Sequence, residues 1–364
     1  MTTLDDLDTP ALLIDLDALE ANLAEMAAVA AKASVRLRPH TKTHKSPEIA
    51  RMQVEAGAAG ITCAKLGEAE VMADAGLDDL LVAYPLVGEP KLRRLRALLE
   101  RARVRVSLDS VEVAEGLGRV GRDLGRDVEV LVEVDTGLHR LGRPPGQPTA
   151  ELVGQVARVP GVEVVGLLTH AGHAYRARGP EELRHAAERE ALDLVETATL
   201  CRRDGIALEE VSVGSTPTAR TGAFVDGVTE IRPGTYALND ATMMRLGVAT
   251  EATAAARVLA TVVARPTAER FVVDAGSKCF TTDNMGSVPD WLVVAGRPDL
   301  HLDFLSEEHG VGHRDSGGEL RIGDRLQVIP SHACNCVNLF DLAYGVRGGR
   351  VERELRIAGR GKVR

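Results

Sequence analysis

Short apolar runs alternate with helical patterns over roughly the first two-thirds of the chain. Nearly every run is followed by a segment in which apolar residues recur at helical spacing, as in repeated units of one strand and one helix. This rhythm predicts a parallel (β/α)8 barrel of the TIM type over residues 17–245. A doubly wound open sheet is the rival architecture, but no glycine-rich dinucleotide turn follows any of the runs.

The predicted elements of the barrel follow from these runs. The strands are Val35–Thr41, Gly60–Ala64, Leu80–Tyr84, Val104–Leu108, Val128–Asp135, Val162–His170, Glu210–Gly214 and Thr229–Arg232. The helices between them are Pro47–Ala56, Gly67–Ala75, Glu89–Arg101, Val111–Leu124, Thr149–Arg158 and Pro180–Arg203.

A strand and a helix are predicted ahead of the barrel. Asp8-Thr9-Pro10 leads into the apolar run Ala11–Asp15, which has the length of a strand. Asp17 and Glu20 stand three residues apart as in a capping box, and helical spacing continues to Ala33. Because the strand precedes the barrel, it is available to pair with a second domain.

From Ala254 onward, short strands follow one another without a long helix between them. Arg-Pro, Gly-Gly and Gly-Asp turns join them, which is typical of an all-β domain. We therefore expect a β-domain made of residues 1–16 and 246–364. Its predicted strands are Arg257–Ala264, Arg270–Ala275, Trp291–Ala295, Arg325–Ile329, Val337–Ala343 and Arg350–Ile357.

Composition narrows the range of functions. The 364 residues carry a net charge of −9, so a nucleic acid or an anionic membrane is a poor partner. Apolar residues make up 45% of the chain, enough for a sizeable core, yet no apolar run is long enough to span a bilayer. The segment Met1–Asp8 is unlike a signal peptide, and five cysteines without framework spacing suit a reducing compartment. We therefore expect a cytoplasmic protein.

The octapeptide Arg38–Lys45 concentrates two imidazoles and two amines at the end of the first barrel strand. Alternate residues of a strand share a face, so Arg36, Arg38, His40 and Lys42 would point the same way. Cationic neighbours lower the pKa of an amine, and a neutral amine attacks a carbonyl. The octapeptide is either a site with a lysine nucleophile or a solvated basic loop, and these residues alone leave both interpretations open.

Other polar groups collect at the predicted carboxyl ends of the strands, where the catalytic residues of this fold lie. Strands seven and eight end in turns of small and hydroxyl-bearing residues, which suit a phosphate. A lysine amine and a phosphate site together imply a phosphorylated carbonyl held as a Schiff base. Pyridoxal 5′-phosphate fits that description, and a sugar-phosphate aldolase fits almost as well. The segments at these ends are His40–Lys42, Glu133–Arg140, His170–His173, Gly214–Thr218 and Arg232–Tyr236.

Five motifs in order decide between these two interpretations. Over nearly its whole length the chain resembles the fold-type III pyridoxal phosphate enzymes, which have an alanine racemase-like barrel and a β-domain. Within them it resembles the D-threonine aldolase/D-serine dehydratase group, and its D-serine dehydratase-like members most of all. The motifs are Asp8-Thr9-Pro10, Arg38–Lys45, Leu131–Gly137, Glu308-His309-Gly310 and Pro330–Cys334.

The resemblance implies a cofactor site in the barrel. Lys42 would hold the cofactor as a Schiff base, whereas Lys45, on the opposite parity, would be solvated or structural. Arg140 inherits the arginine that approaches the phenolic oxygen of the cofactor. Arg232 falls where alanine racemases place an arginine on the pyridine nitrogen, and a surface charge at a strand end is the alternative. The phosphate contacts fall to Gly214, Ser215, Thr216, Gly234 and Tyr236.

Further positions bear on the reaction. Glu133 stands where the racemases carry a modified lysine, a departure that argues against racemase activity. His170 suits stacking on the cofactor or acid–base work, and Tyr175 would bound the substrate pocket. The resemblance assigns no role to His173 or to the segment Glu307-Glu308-His309, which we expect near the mouth of the site.

His332-Ala333-Cys334 places an imidazole and a thiol two residues apart, on one face of a predicted strand. Zinc accepts both ligand types, and two protein ligands leave positions for water or substrate. By spacing alone, a buried cysteine beside a surface histidine is the simpler interpretation. The resemblance favours a metal, since the dehydratase-like members carry His-x-Cys here and the aldolases carry His-x-Asp. A thiolate favours Zn²⁺ over Mn²⁺ or Mg²⁺, and we interpret Cys336 as a core residue rather than a third ligand.

The resemblance thus implies a lyase that uses pyridoxal 5′-phosphate and Zn²⁺. The expected reaction is dehydration of a 3-hydroxy D-amino acid such as D-serine to a 2-oxo acid and ammonia. The alternative is retro-aldol cleavage of D-threonine or a related 3-hydroxy D-amino acid to glycine and an aldehyde. A non-catalytic cofactor carrier and an amino-acid racemase rank below both. The resemblance also implies a homodimer, and the choice of substrate side chain stays open.

Overall fold

The computed structural model of the chain describes residues 2–283, 292–315 and 319–364. They form two compact units. The barrel unit comprises residues 25–42, 50–234 and 361–364. The β unit comprises the chain up to Ala24 together with Thr43–Ile49 and Thr235–Arg360. Strand β1 (Ala11–Asp15) and helix α1 (Leu16–Ala33) come first along the chain.

Backbone hydrogen bonds explain why the two units interleave along the sequence. Within the β unit, the carbonyl of Lys45 accepts a hydrogen bond from the amide of Gly359 at 2.9 Å. Within the barrel unit, the carbonyl of Arg364 accepts from the amide of Gly67 at 2.9 Å and from Arg94 Nη2 at 3.1 Å. Each short segment therefore belongs to the unit that satisfies its backbone.

Eight parallel strands form the sheet of the barrel unit. They are β2 (Arg36–Leu37), β3 (Ile61–Cys63), β4 (Asp79–Val82), β5 (Arg103–Leu108), β6 (Val128–Val134), β7 (Val162–Thr169), β8 (Glu210–Val213) and β9 (Glu230–Ile231). Their order is β2-β9-β8-β7-β6-β5-β4-β3. The Thr62 amide donates to the Pro39 carbonyl and its carbonyl accepts from the Thr41 amide, both at 2.8 Å, which joins the two ends of the sheet. The predicted (β/α)8 barrel is therefore confirmed.

The helices that follow these strands agree with the predicted ones to within a few residues, and two short helices come in addition. They are α2 (Pro47–Glu55), α3 (Leu66–Asp74), α4 (Glu89–Leu99), α5 (Val111–Leu124), α6 (Gln147–Val156), α7 (Pro180–Arg203), α8 (Thr216–Gly222) and α9 (Ala241–Arg245). Across the part of the chain that the structure describes, no helix combines the length and the apolar character that crossing a membrane requires.

The β unit is built on a sheet of nine strands, and β1 lies in its middle. The strands after β1 are β10 (Ala256–Ala264), β11 (Arg270–Val273), β12 (Val293–Val294), β13 (Leu300–Leu305), β14 (Gly310–Arg314), β15 (Arg325–Ile329), β16 (Leu342–Arg347) and β17 (Arg350–Arg356). Their order is β13-β14-β11-β10-β1-β16-β17, with β15 on β10 and β12 on β15. Strand β1 runs antiparallel to β10 and parallel to β16, so the expected pairing of the first strand with this domain is confirmed.

The β unit differs from the sequence prediction in two places. The hairpin of β13 and β14 was not predicted, because its strands carry charged and histidine residues and lack a clean apolar alternation. The predicted strand Val337–Ala343 overlaps the end of a helix, α11 (Ala333–Val337), and the start of β16. Helix α10 (Ser277–Phe280) is also new. The predicted strand Trp291–Ala295 begins outside the described residues, and β12 lies within its remainder.

The cap of α1 also differs from the prediction. The Asp15 carboxylate accepts a hydrogen bond from the Ala18 amide at 3.0 Å, so the last residue of β1 caps the helix. Glu20, expected in a capping box with Asp17, instead accepts a hydrogen bond from Arg347 Nη2 at 2.7 Å. The prediction of a capping box is therefore wrong, because β1 passes directly into α1 and its last residue caps the helix.

Buried ion pairs occupy the amino-terminal end of the barrel. Arg38, only 1% exposed, donates to the Glu230 carboxylate at 2.8 Å and to Asp79 at 2.5 Å. Arg36 Nη2 lies 3.3 Å from Glu210. These arginines are neutralised by carboxylates at the starts of β4, β8 and β9, so the expectation that they help to keep Lys42 neutral is wrong. Residues at the amino-terminal end of such a barrel serve its stability rather than its chemistry.

We predict that Arg38→Met destabilises the barrel strongly, because it removes the cation nearest to the fully buried Glu230 and leaves it only Arg36, at 3.8 Å, as an ion-pair partner. Removing one member of a buried pair typically costs about 3–5 kcal/mol. The matched control is Arg220→Met, which breaks a pair with Glu25 whose side chains are 32% and 45% exposed and which should cost at most about 1 kcal/mol. Urea denaturation followed by circular dichroism measures both, and equal midpoints for the two variants would contradict the prediction.

Candidate active site and metal ligands

The loop after β2 places Lys42 at the carboxyl end of the barrel. The His40 amide donates to the Pro233 carbonyl at 2.9 Å, which ties this loop to the one after β9. His40 Nδ1 in turn accepts a hydrogen bond from the Lys42 amide at 3.3 Å. Lys42 is half-buried, and Arg38 and Lys45 are buried, so the interpretation as a solvated loop is wrong. Lys45 Nζ lies 3.5 Å from the Gly359 carbonyl in the β unit, in agreement with a structural role.

His170, at the end of β7, has a defined tautomer. Its Nδ1 lies 3.1 Å from the Gly214 carbonyl, and since a carbonyl only accepts, Nδ1 carries the proton. In the neutral ring Nε2 therefore has a free lone pair. The sequence placed His40 at the end of the first barrel strand without assigning it a role, and its imidazole belongs to the same cluster.

The imidazoles of His40 and His170 are held neutral. Burial is the main cause that brings the pKa of both rings well below the ordinary value, and the charge of Lys42 lowers the pKa further. Arg140 and Arg232 act on both rings in the same direction. Two neutral imidazoles and three cationic side chains thus share the carboxyl end of the barrel.

Glu190 on α7 is a functional position that sequence reasoning missed. Its Oε1 accepts hydrogen bonds from the amides of Ala171 at 3.0 Å and Gly214 at 3.1 Å, and the side chain is 1% exposed. Burial raises the pKa of this carboxyl. Glu190 lies on the same helix face as the buried Ala187 and Leu194, so a charge on an apolar face was the signal that would have found it.

Arg232 is buried rather than on the surface. The residue is 5% exposed, its Nη1 donates to Ser212 Oγ at 2.6 Å, and its Nη2 donates to the Thr169 carbonyl at 2.5 Å. The alternative of a surface charge at a strand end is therefore wrong. Burial lowers the pKa of the guanidinium, and the carboxylates of Glu230 and Glu190 partly offset this by raising it.

Arg140 and Glu133 face each other across the end of β6. Arg140 Nη2 lies 3.6 Å from Glu133 Oε1, and the arginine side chain is 51% exposed. Burial raises the pKa of Glu133, and Arg140 lowers it. The Glu133 carboxylate thus has a cationic partner in the loop that follows β6.

The residues expected to bind phosphate are positioned by α8. Ser215 is its N-cap, with Oγ 3.0 Å from Thr218 Oγ1, and Thr216 begins the helix. Gly214 has φ +126°, and a Cβ there would lie 3.0 Å from the Arg232 amide nitrogen, so the turn requires glycine. The Gly214 amide donates to Glu190, so that amide is already satisfied by the protein.

The remaining predicted residues divide between the units. Gly234 belongs to the barrel unit and Tyr236 to the β unit, and both are buried. Tyr175 is buried in the 3₁₀ helix Gly172–Arg176. Burial lowers the pKa of His173 in the same segment. Other short 3₁₀ helices are Leu4–Asp6, Thr235–Ala237 and Glu251–Thr253.

In the β unit, His332 and Cys334 lie at the start of α11, not on a strand. His332 is the N-cap residue of this helix, and Cys334 lies in its first turn. His332 Nδ1 donates to Asp283 Oδ2 at 2.9 Å, and Asn335 Nδ2 donates to the same oxygen at 2.6 Å. Thr43 Oγ1 lies 3.1 Å from the Cys334 sulfur. The predicted strand would have placed the imidazole and the sulfur on the same face. The start of the helix brings them together instead.

The electrostatics of His332 reflect this contact. Burial lowers its pKa, but contact with Cys334, the charge of Asp240 and the hydrogen bond to Asp283 outweigh burial and raise the pKa to about 10. Asp240 also accepts hydrogen bonds from the amides of Ala333 and Met243, each at 2.9 Å. The sequence offered no motif for either aspartate, since both are distant from His332 along the chain.

The donor set at His332 and Cys334 fits a metal ion. An imidazole whose Nδ1 is held by a carboxylate presents Nε2 to a metal, and a neighbouring thiolate suits Zn²⁺. Cys336 is buried, and its sulfur donates to the Cys279 carbonyl at 3.0 Å, which agrees with a core residue. Burial raises the pKa of the Cys336 thiol, so it is a poor ligand. The segment Glu307–His309 forms the turn between β13 and β14, where Glu308 pairs with Lys278 at 2.7 Å.

A closed parallel barrel with a lysine, imidazoles and arginines at the ends of its strands, followed in the chain by a β-domain, defines the alanine racemase-like class. The chain belongs to the family of the alanine racemase N-terminal domain, whose model matches residues 14–242. The "Putative serine dehydratase domain" matches residues 255–346. This fold family implies pyridoxal 5′-phosphate.

Named relatives match nearly the whole length of the chain. The D-threo-3-hydroxyaspartate dehydratase of Delftia sp. (strain HT23) is 36% identical over 91% of this chain and 92% of its own. The D-threonine aldolase of Arthrobacter sp. is 35% identical over 97% of this chain and 93% of its own. Since dehydratases and aldolases are lyases, this chain is a lyase.

Solved structures agree with these relatives. The D-threonine aldolase of Filomicrobium marinum superposes with a TM-score of 0.94 at 35% identity, covering 100% of this chain and 98% of its own. A D-threo-3-hydroxyaspartate dehydratase with a cysteine-to-alanine mutation, in the metal-free form, gives a TM-score of 0.90 at 34% identity over 98% of this chain and 99% of its own.

We predict that Lys42→Met raises the pKa of His170, because it removes the cation that acts most strongly on the buried ring. In cofactor-free protein the imidazole should then take up a proton at a higher pH than in the unmodified chain. Lys32→Met, which removes an amine near Phe224, is the control. Nuclear magnetic resonance titration of ¹⁵N-histidine signals measures the shift, and identical His170 titrations in both variants would refute the prediction.

Proposed function

We propose that this lyase is a pyridoxal 5′-phosphate- and zinc-dependent dehydratase of a 3-hydroxy D-amino acid such as D-serine. The products would be a 2-oxo acid and ammonia. The observation that carries the proposal is the contact of His332 with Cys334, with the imidazole oriented by Asp283, in a chain whose relatives include a dehydratase.

The residues of the barrel suit the cofactor. Lys42 would hold it covalently, and the cationic side chains of Arg140 and Arg232 suit an anionic ligand. Ser215 and Thr216, at the start of α8, would contact the phosphate, and Gly234 and Tyr236 are further candidates by resemblance. When bound, pyridoxal 5′-phosphate supplies an electron sink for the charge that develops at the substrate α-carbon.

Lys42 would act as the base of the reaction. Once the substrate amine has replaced it, its amine is free to accept the α-proton. The imidazole ring of His170 would stack on the bound molecule, or its Nε2, which bears a lone pair in the neutral ring, would accept a hydrogen bond from it. The elimination removes the α-hydrogen and the β-hydroxyl as water. Hydrolysis of the released enamine then returns one water and yields the 2-oxo acid and ammonia.

The β unit would contribute the metal. His332 Nε2 and the Cys334 sulfur are the proposed ligands, and Asp283 fixes the ring through Nδ1. Two protein ligands leave positions for water or substrate. When bound, Zn²⁺ supplies a Lewis acid that makes a hydroxyl a better leaving group.

The alternative function is a metal-dependent aldolase that cleaves D-threonine or a related 3-hydroxy D-amino acid. It rests on the D-threonine aldolase relatives, which cover the chain as fully as the dehydratase does. The same residues would serve, but the β-hydroxyl would lose its proton and the bond between Cα and Cβ would break. Cys334 favours dehydration, because the resemblance implies that the aldolases carry an aspartate at the position where this chain has a cysteine.

A panel of 3-hydroxy D-amino acids tests the proposal. We expect ammonia and a 2-oxo acid in equal amounts from D-serine, D-threonine or D-threo-3-hydroxyaspartate, and no turnover by Lys42→Ala, which lacks the amine. Lys32→Ala is the control variant and should keep full activity. Coupled assays for ammonia and for aldehyde measure the products. Glycine and aldehyde would establish the aldolase instead, and no turnover with cofactor bound would favour a carrier.

Asp283→Asn tests the metal ligands. The amide no longer fixes His332 through a carboxylate, so the affinity for Zn²⁺ should fall by about 10- to 100-fold. Equilibrium dialysis with elemental analysis measures the bound zinc, and turnover should be lost at low zinc and recovered at high zinc. Asp303→Asn, which alters an exposed carboxylate elsewhere in the β unit, is the control for activity. Unchanged turnover by verified metal-free protein would remove the metal from the reaction.

A further inference from the structure

The hairpin of β13 and β14 carries a second pair of imidazoles. His301 and His313 are directly opposite each other across the antiparallel strands. Their rings stack with centroids 4.8 Å apart and planes inclined by 19°. The strand register shifts at Asp303, and Asp315 follows the end of β14, yet both carboxylates contact the histidine rings.

The carboxylates are arranged around the two rings in different ways. Asp315 Oδ2 lies 3.2 Å from His301 Nε2, and Asp315 Oδ1 lies 3.9 Å from His313 Nε2. Asp303 Oδ2 lies 2.7 Å from His313 Nδ1. One carboxylate therefore touches the Nε2 atoms of both rings, whereas the other holds the opposite nitrogen of one ring.

We propose that this hairpin binds a divalent transition-metal ion such as Zn²⁺, through His301 Nε2, His313 Nε2 and the Asp315 carboxylate. The ligand atoms lie within 4.8 Å of one another. Bonds of about 2.0–2.2 Å to zinc require the ligands to approach by about an ångström, which exposed side chains achieve by rotation. The three side chains are 30%, 48% and 61% exposed, so the ion has access from solvent.

The orientation of His313 supports a metal site over a pair of surface ion pairs. Asp303 accepts the Nδ1 proton and so directs Nε2 towards the other two ligands, as in carboxylate–histidine–metal arrangements. Binding an ion would replace the hydrogen bond between His301 Nε2 and Asp315.

The charges and donor types define the ion that would bind. Asp303 and Asp315 bring two negative charges, and Arg270, opposite His313 on β11, brings one positive charge. Imidazole with carboxylate suits Zn²⁺, Co²⁺, Ni²⁺ and Cu²⁺ rather than Mg²⁺ or Ca²⁺. Three protein ligands leave a fourth position for water.

This site is separate from the proposed ligands of α11. The two sets share no residue, and the hairpin lies at the β13 edge of the sheet. The hairpin offers no sulfur, whereas Cys334 does. The proposal is therefore independent of the proposed function.

Zinc titration of the full-length protein tests the hairpin. His313→Gln should bind one Zn²⁺ per chain fewer than the unmodified protein in equilibrium dialysis, with lyase activity unchanged. His185→Gln, which removes an exposed histidine on α7, is the matched control and should bind as much zinc as the unmodified protein. Asp303→Asn should keep the site but weaken it by about 10- to 100-fold. Equal zinc content and affinity in His313→Gln and His185→Gln would overturn the proposal.

Cobalt distinguishes the two sites in the same molecule. Co²⁺ bound to Cys334 would show a thiolate-to-cobalt charge-transfer band, whereas Co²⁺ on the hairpin would show only ligand-field bands. His313→Gln should lose ligand-field intensity and retain any charge-transfer band. If the charge-transfer band is missing while the His313-dependent bands are present, the hairpin site stands and the proposed metal of α11 fails. A spectrum that His313→Gln leaves unchanged excludes the hairpin site.

Discussion

One carboxylate oxygen of Glu190 accepts hydrogen bonds from the backbone amides of Ala171 and Gly214, which follow the neighbouring strands β7 and β8. The rest of the barrel site depends on this interaction. The Gly214 carbonyl fixes the tautomer of His170, and the positive φ of Gly214 lets the chain pass beside Arg232. A buried carboxylate oxygen that accepts hydrogen bonds from two backbone amides orders both turns at once. The positions of His170 and of the start of α8 therefore follow from a residue in the middle of a helix.

The two ends of the barrel use charge in opposite ways. At the amino-terminal end, Arg36, Arg38 and Arg105 meet Glu210, Glu230 and Asp79 in short contacts, so three arginines face three carboxylates. At the carboxyl end, the three cations outnumber the carboxylates of Glu133 and Glu190, and the two imidazoles are neutral. Arg232 is buried and Arg140 is exposed at the same end, and an excess of cationic over anionic side chains there suits an anionic ligand. The contrast separates the end that stabilises the fold from the end that we propose performs chemistry.

The barrel was predictable from the sequence because parallel strands are buried on both faces and read as continuous apolar runs. Lys42, Arg140 and His170 were also predictable as neighbours, since the carboxyl ends of all strands meet at one rim. Glu190 and Asp283 were not, because their partners are backbone amides and a distant imidazole that no local pattern encodes. The α11 helix was mistaken for a strand because five residues are too few to establish a period. The β13–β14 hairpin was missed because it exposes charges where an apolar alternation would have identified it.

The same combination of carboxylate and histidine occurs twice in the β unit, and burial assigns the two different tasks. The His332 side chain is 14% exposed and lies beside a sulfur, whereas the His313 side chain is 48% exposed and lies among carboxylates. Electrostatic effects are stronger where water is excluded, so an ion on His332 and Cys334 would polarise a substrate oxygen far more than an ion on the hairpin. Exposed ligands in turn exchange ions readily and need no opening of the fold. The less exposed pair, His332 and Cys334, is therefore the one suited to chemistry, and the hairpin is suited to reversible binding.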